Sequence, residues 1–359
     1  MSQRIIGFDI ARAFAIFGMV IVNYKITMGA VTGSEFLQGF ASVFEGRASA
    51  LFVVLAGIGV TFLTNKVRLS QDRALILAGR KALIKRGCLL LLIGLSFTTI
   101  WPADILHYYG VYFLFAAFLF NIRNRSLIIA VVSVTALFPV LMMFFDYEKD
   151  WDWSTLNYQN FWTVDGMVRH ILFNGFHPVL PWCAFLIFGM WLGRQDLSAT
   201  DVRKKLLVWS LSIYIVTELI FFLIRAAIGD GQGSGLTAEE IEFLFSVSII
   251  PPLPQYIIAA GSLAVAIIIG CLYLSERFVE SKLLSWLYKT GQLSLTLYIA
   301  HVIIGMGFLE SVGRLENQNI AFSLFSALIF CVFGILFSVL WLKYFKTGPL
   351  EWLFRKAAS

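Results

Sequence analysis

Runs of about twenty apolar residues recur along this chain with only short polar connections between them, and no other feature restricts its fold so tightly. A hydrocarbon layer of about 30 Å takes roughly 20 helical residues to cross, because backbone groups inside it must bond within their own segment. On that ruler ten spans are expected: 8–28, 48–65, 84–101, 104–122, 126–145, 178–195, 206–227, 255–275, 291–310 and 320–343. Of the 359 residues 59% are hydrophobic and 14% charged, far from soluble composition. The expectation is an all-α polytopic membrane protein, a bundle of about ten transmembrane helices forming one domain over 1–359.

The same composition excludes several classes. Cys88, Cys183, Cys271 and Cys331 fall inside apolar runs with no CxxC spacing, so neither a disulfide framework nor a metal site is expected. The net charge of +6 comes from basic residues scattered between the spans, a pattern of membrane orientation and not of nucleic-acid binding. No cleavable signal peptide is expected, since the first apolar run carries Asp9 and Arg12 and lacks a typical cleavage site.

Orientation follows from Lys and Arg, which favour the cytoplasmic side. The connection 66–86 holds Lys66, Arg68, Arg73, Arg80, Lys81, Lys85 and Arg86 against Asp72 alone. With ten spans, most of the 28 basic residues share its side, Arg4 among them, and both termini are cytoplasmic. The turn "WPAD" (101–104) makes a tight hairpin of two spans. The outer connection 146–166 is rich in Trp and Tyr, which suits a lid at the membrane interface, and 167–177 suits a short interfacial helix. A second outer connection, 228–254, opens with the flexible "GDGQGSG" and closes with the stiff "IIPPLPQ".

A polar group in a span is costly and marks function by default. On the outer side Asn23, Glu45, Arg47, Asp104 and His107 fall at similar depth, with His177 and Trp182 in "FHPVLPW" as further lining candidates. A neutral imidazole beside a carboxylate is the usual general base near neutral pH, and an Asn can orient a substrate or steady an oxyanion. The plainer alternative is snorkelling, capping, or an interfacial Glu45–Arg47 ion pair. His301 lies in mid-span, where a histidine bonded to a neighbouring helix is the alternative to a catalytic one; His170 carries little signal. On the inner side Asp9 and Arg12, at i and i+3, pair along one helix face, either as a structural clamp or as part of a cytosolic entrance. "GQLSLT" (291–296) with Gln292, and "GPLEWLFRK" (348–356) with Arg355, complete that set, whose basic and Gly-rich character suits phosphates. No Walker, HExxH or GxSxG sequence occurs.

Taken in order, "RIIGFDIARAFAIFGMVIVN", "FEGRASALFVVLAGIGV", "HPVLPWCAFLIFGMWLGR", "GQLSLTLYIAHVI" and "GPLEWLFR" resemble the successive signatures of the YeiB-like bacterial inner-membrane family. The first and third blocks also resemble the heparan-alpha-glucosaminide N-acetyltransferase family. The resemblance implies a membrane acyltransferase that takes an acyl group, typically acetyl from cytosolic acetyl-CoA, and passes it to a hydroxyl or amine of an extracytoplasmic acceptor such as a glycan. It implies a multi-pass protein of the bacterial inner membrane, with the lipid bilayer, acyl-CoA and a second copy of the chain as candidate partners and no metal.

In the acetyltransferase family the Asn that closes the first block, here Asn23, works with a histidine shortly after it. This chain has none between Asn23 and Arg47. The base is therefore sought first at His107 with Asp104 and second at His301, with Asn23 and Arg47 steadying the oxyanion. Two other classes stay open. A transporter would use Asp9, Arg12 and His301 as relay groups, and a non-catalytic membrane sensor would explain the missing histidine.

Overall fold

The computed structural model describes residues 5–153, 155–229 and 235–358; Arg4 and most of "GDGQGSG" lie outside them. Helix makes up 75% of the chain. In order the helices are α1 (Ile6–Thr27), α2 (Glu35–Ser42), α3 (Arg47–Ser70), α4 (Arg73–Phe97), α5 (Leu106–Leu119), α6 (Asn124–Met142), α7 (Val164–Arg169), α8 (Val179–Leu192), α9 (Thr200–Ile228), α10 (Ala238–Phe245), α11 (Pro254–Arg277), α12 (Lys282–Gln292), α13 (Ser294–Ala300), α14 (Gly307–Ser311), α15 (Ile320–Tyr344) and α16 (Pro349–Ala358). Two π-helical segments interrupt them, His170–Asn174 after α7 and His301–Met306 after α13. The described strands are β1 (Trp151–Asp152) and β2 (Asn157–Tyr158), antiparallel with Trp151 opposite Tyr158.

Each of the ten expected spans falls on helix. Among the described residues seven helical segments are long and apolar enough to cross a membrane, and an eighth if the pair Val164–Asn174 and Val179–Leu192, bent by 50°, counts as one. The other two expected spans are α4 and α5. The first half of α4 carries Arg73, Arg80, Lys81, Lys85 and Arg86, and α5 has only 14 residues. Between them the Trp101 carbonyl accepts from the Asp104 N–H at 3.1 Å, closing the expected Pro turn.

The chain forms two compact units, one of residues 1–55 and 263–357, the other of 56–262 with 358–359. In the first, α1 packs against α12, α13 and α15. The α1–α12 crossing is close because Gly291 has no side chain: a methyl group there would sit 1.7 Å from the Asp9 carbonyl oxygen. In the second, α4 pairs with α5, and α8 packs on α5 and α6. There Gly94 admits the first turn of α5, since a methyl group would lie 2.1 Å from the His107 nitrogen. The carbonyls just past the end of α5 are met by Arg194, whose guanidinium donates to Phe120 O and Ile122 O, both at 2.7 Å, and to Asn124 Oδ1 at 2.9 Å. A cation suits the negative end of a helix.

The Gly291 contact is backbone against backbone, so the neighbour cannot rotate away. Gly291→Ala is expected to destabilise the protein by about 1–3 kcal/mol, the usual cost of overpacking, read as a lower unfolding midpoint in detergent. An unchanged midpoint would mean that α1 and α12 do not meet at this point.

Candidate functional site

Each unit holds a buried histidine with one ring nitrogen fixed by the chain. In the first unit, the helix of α13 widens into a π turn at His301, a distortion often found at functional sites. His301 is fully buried. Its Nδ1 faces the Tyr298 carbonyl, which can only accept, so Nδ1 carries the proton and Nε2 presents a lone pair. The half-buried Asn23 on α1 donates its Nδ2–H to that lone pair at 2.9 Å. Tyr24 Oη donates to the His301 carbonyl at 3.4 Å, and Thr27 Oγ1 donates to the Asn23 carbonyl at 2.8 Å. The nearby Glu45 accepts from Lys25 Nζ at 2.7 Å, and Arg47 stands half-buried at the first position of α3.

The residues expected on the inner side come together in this unit as well. Asp9, almost fully buried, accepts from the Arg12 guanidinium on the next turn. Gln292 ends α12 beside the Gly291–Asp9 crossing. The blocks "GQLSLT" and "GPLEW" meet through one carboxylate: Glu351 Oε1 accepts from Leu295 N at 2.8 Å and Thr296 N at 3.0 Å, and Oε2 accepts from Thr296 Oγ1 at 2.6 Å. An anion at a helix N-terminus is favoured by the unpaired N–H groups and the helix dipole. Glu351 thus anchors α13, whose far end carries His301, while Arg355 stands exposed on α16.

In the second unit, Asp104 caps α5. Its Oδ2 accepts from Leu106 N at 2.8 Å, from His107 N at 3.2 Å and from His107 Nδ1 at 3.2 Å. His107 Nε2 is buried and has no partner among the described residues. Around this dyad stand groups that sequence reasoning undervalued. Tyr108 Oη accepts from Phe176 N at 3.1 Å and reaches His170 Nδ1 at 3.0 Å. The His170 ring stacks 5.9 Å from His107. His177 and Trp182, both expected to line a pocket, meet edge to face at 4.6 Å, with Tyr108 5.9 Å from His177. The signal for Tyr108 was "DILHYYG", which sets an aromatic beside His107; for His170 it was the switch from α7 to a π turn, which no periodicity shows.

His170 also lines a cavity of about 460 Å³ with Trp151, Tyr158, Phe161, Trp162 and Asn157. Side-chain bonds tie the loop that builds it to the π-helical turn after α7. Asn174, fully buried, donates to the Tyr147 and Lys149 carbonyls at 2.9 and 3.0 Å and accepts from Tyr158 Oη at 3.1 Å. Arg169 ties Asp150 to Asp165. Among the described residues no group of three or more His, Cys, Asp or Glu is placed to hold a metal ion.

The heparan-alpha-glucosaminide N-acetyltransferase catalytic model matches residues 4–227, and a model of a protein family of unknown function, DUF418, matches 238–359. The chain is 21% identical to the uncharacterized protein YxaH of Bacillus subtilis, over 99% of this chain and 94% of that one. It is 23% identical to the uncharacterized protein YeiB of Escherichia coli, over 99% and 96%.

Two substitutions test this architecture. Asn174→Ala strands two backbone carbonyls and a phenol, and is expected to cost about 1–3 kcal/mol, with faster hydrogen exchange confined to 145–175. Glu351→Ala leaves the first turn of α13 uncapped, and is expected to cost about 1 kcal/mol and to raise exchange at Leu295 and Thr296. Unchanged protection at those amides would show that Glu351 does not cap α13.

Proposed function

The chain belongs to the heparan-alpha-glucosaminide N-acetyltransferase catalytic family, and from that premise we propose that it is a membrane acyltransferase with His301 as its general base. It is a multi-pass membrane protein; we read it as one functional domain of ten spans in the bacterial inner membrane, both termini cytoplasmic. The donor is acyl-CoA, with acetyl as the expected group, and the acceptor is a hydroxyl or amine outside the cytoplasm.

The observation that carries this reading is the 2.9 Å contact between Asn23 and His301. The chain lacks a histidine just after Asn23, and the fold brings one from 278 residues away. The pair has the two functions acyl transfer needs. His301 Nε2, its lone pair directed by the Nδ1–H bond to Tyr298, can take the acceptor's proton as the acceptor attacks the thioester carbonyl. The Asn23 amide, released from Nε2 by the incoming hydroxyl or amine, can donate to the oxyanion, worth about 3 kcal/mol for a well-placed donor. As the C–S bond breaks, the imidazolium returns its proton to the leaving CoA thiolate. Asp9, Arg12, Gln292 and Arg355 lie in the same unit as this dyad, and we assign them to the acyl-CoA side.

A second reading places the base at His107, and one observation favours it: Asp104 fixes Nδ1 and Nε2 is left open. The aromatic and amide lining of the 460 Å³ cavity in that unit supports a ring-stacking acceptor such as a glycan.

The test uses the purified protein, acetyl-CoA as donor and glucosamine as probe acceptor. His301→Ala and Asn23→Ala are expected to keep acetyl-CoA affinity and lower acetyl transfer about a hundredfold or more, whereas His107→Ala keeps transfer. The reverse pattern would move the base to the Asp104 dyad. Failure of the wild type to bind any CoA thioester would overturn the acyltransferase reading.

A further inference from the structure

With the base at His301, the 460 Å³ cavity of the other unit has no part in the transfer, and its wall is distinguished by the hydrogen-bonding groups it withholds. Trp151, Tyr158, Phe161, Trp162 and Phe176 line it, with no Lys, Arg, Asp or Glu among the described lining residues. The polar ends of two of these rings are already used: Trp151 Nε1 donates to the Asn174 carbonyl at 2.5 Å, and Tyr158 Oη donates to Asn174 Oδ1 at 3.1 Å. Asn174 is fully buried and lies outside the lining. Both rings therefore turn carbon, not a donor, toward the cavity.

The polar side chains of the wall are mostly committed as well. Thr98 Oγ1 donates to the Leu95 carbonyl at 2.8 Å, and the Asn160 amide donates to Asp150 Oδ1 at 3.2 Å. Thr163 Oγ1 donates to the Asn160 carbonyl at 2.8 Å and accepts from Gly166 N at 3.1 Å, while His170 Nδ1 is held by Tyr108 Oη at 3.0 Å. A sugar or a primary amine that leaves water for such a wall needs new partners for its O–H or N–H groups. Thr99 and Asn157, both exposed, are the side chains of the wall best placed to supply them.

Shape and charge favour a different occupant. Trp151 stands at 84° to Tyr158 and 78° to Phe176, and Phe161 at 89° to Trp162; rings at right angles enclose a rounded group better than a flat one. The loop 146–166, which supplies four of the five rings, has five carboxylates against one lysine. Arg169 joins two of them, Asp150 and Asp165, in a cluster with one negative charge in excess, and Asp150 adjoins the cavity through its bond to Asn160. This field favours a cation, and the wall suits one that carries no N–H. We propose that the cavity binds an organic quaternary ammonium group such as that of choline, whose methyl-covered charge rests against the aromatic rings.

The test is calorimetric titration of choline into the full-length protein, in a polyoxyethylene detergent that contains neither choline nor sugar, and it does not rest on the acyl-transfer reading. Saturable binding is expected, about tenfold or more tighter than that of the dimethylbutanol isostere in which carbon replaces the charged nitrogen. Trp162→Leu, at an exposed ring, and Phe161→Leu keep apolar bulk but remove an aromatic face. Each should weaken choline binding severalfold and leave the unfolding midpoint unchanged. Absence of choline binding, equal binding of the neutral isostere, tighter binding of N-acetylglucosamine, or full choline affinity in both variants would overturn the proposal.

Discussion

Inside a bilayer a polar side chain has only the partners that its own chain provides, and a buried imidazole must place two nitrogens under that restriction. Both central histidines meet it in the same way. Nδ1 is committed to a fixed acceptor, the Tyr298 carbonyl for His301 and the Asp104 carboxylate for His107. That commitment sets the tautomer and aims Nε2. What differs is the far side, where Nε2 meets the Asn23 amide in one unit and no described group in the other. Much of the surrounding structure can be traced to holding these rings: the π turn that opens at His301, the Asp104 cap on α5, and the missing side chain at Gly94 that lets His107 approach α4.

The C-terminal helix takes part in the same arrangement. Glu351 supplies the negative charge at the N-terminus of α13 and so occupies the backbone donors that an external anion would otherwise use. "GQLSLT" and "GPLEW" are therefore one structural element separated by a span, and their Gly and polar residues serve helix capping before any ligand.

What could be read from the sequence divides by range. Apolar run length placed helix under every expected span, because hydrocarbon thickness sets a length that the chain must meet locally. The Asp9–Arg12 pair was likewise visible, since helical spacing alone brings it together, and Asp104 reaches His107 from the turn that caps α5 three residues before it. The Asn23–His301 contact was not, because nothing local to either residue selects a partner 278 positions away. Lys25 as the partner of Glu45, and Asn174 as the tie of the 146–166 loop, escaped for the same reason: tertiary packing chose them. His170 was undervalued because its stretch is amphipathic at helical period, and the π turn that aims its ring follows from packing against Tyr108.

Burial along the spans argues for where chemistry can reside. In α1 and α11, 61% of the most apolar window is buried inside the protein, whereas in α9 only 6% is. The lipid-exposed face of α9 offers Val208, Trp209, Phe222 and Leu223, which need no partner in hydrocarbon. An ionisable group on such a face would stand in lipid at a cost of several kcal/mol. Asp9 is instead on a segment that the protein wraps, His301 is itself fully buried, and each is offset by a bond from another helix or the next turn. The same cost explains why the Asn23–His301 pair draws its two members from opposite ends of the sequence. A buried polar residue costs least where a second one faces it, and α1 packs in the first unit against α12, α13 and α15, helices far from it in the chain.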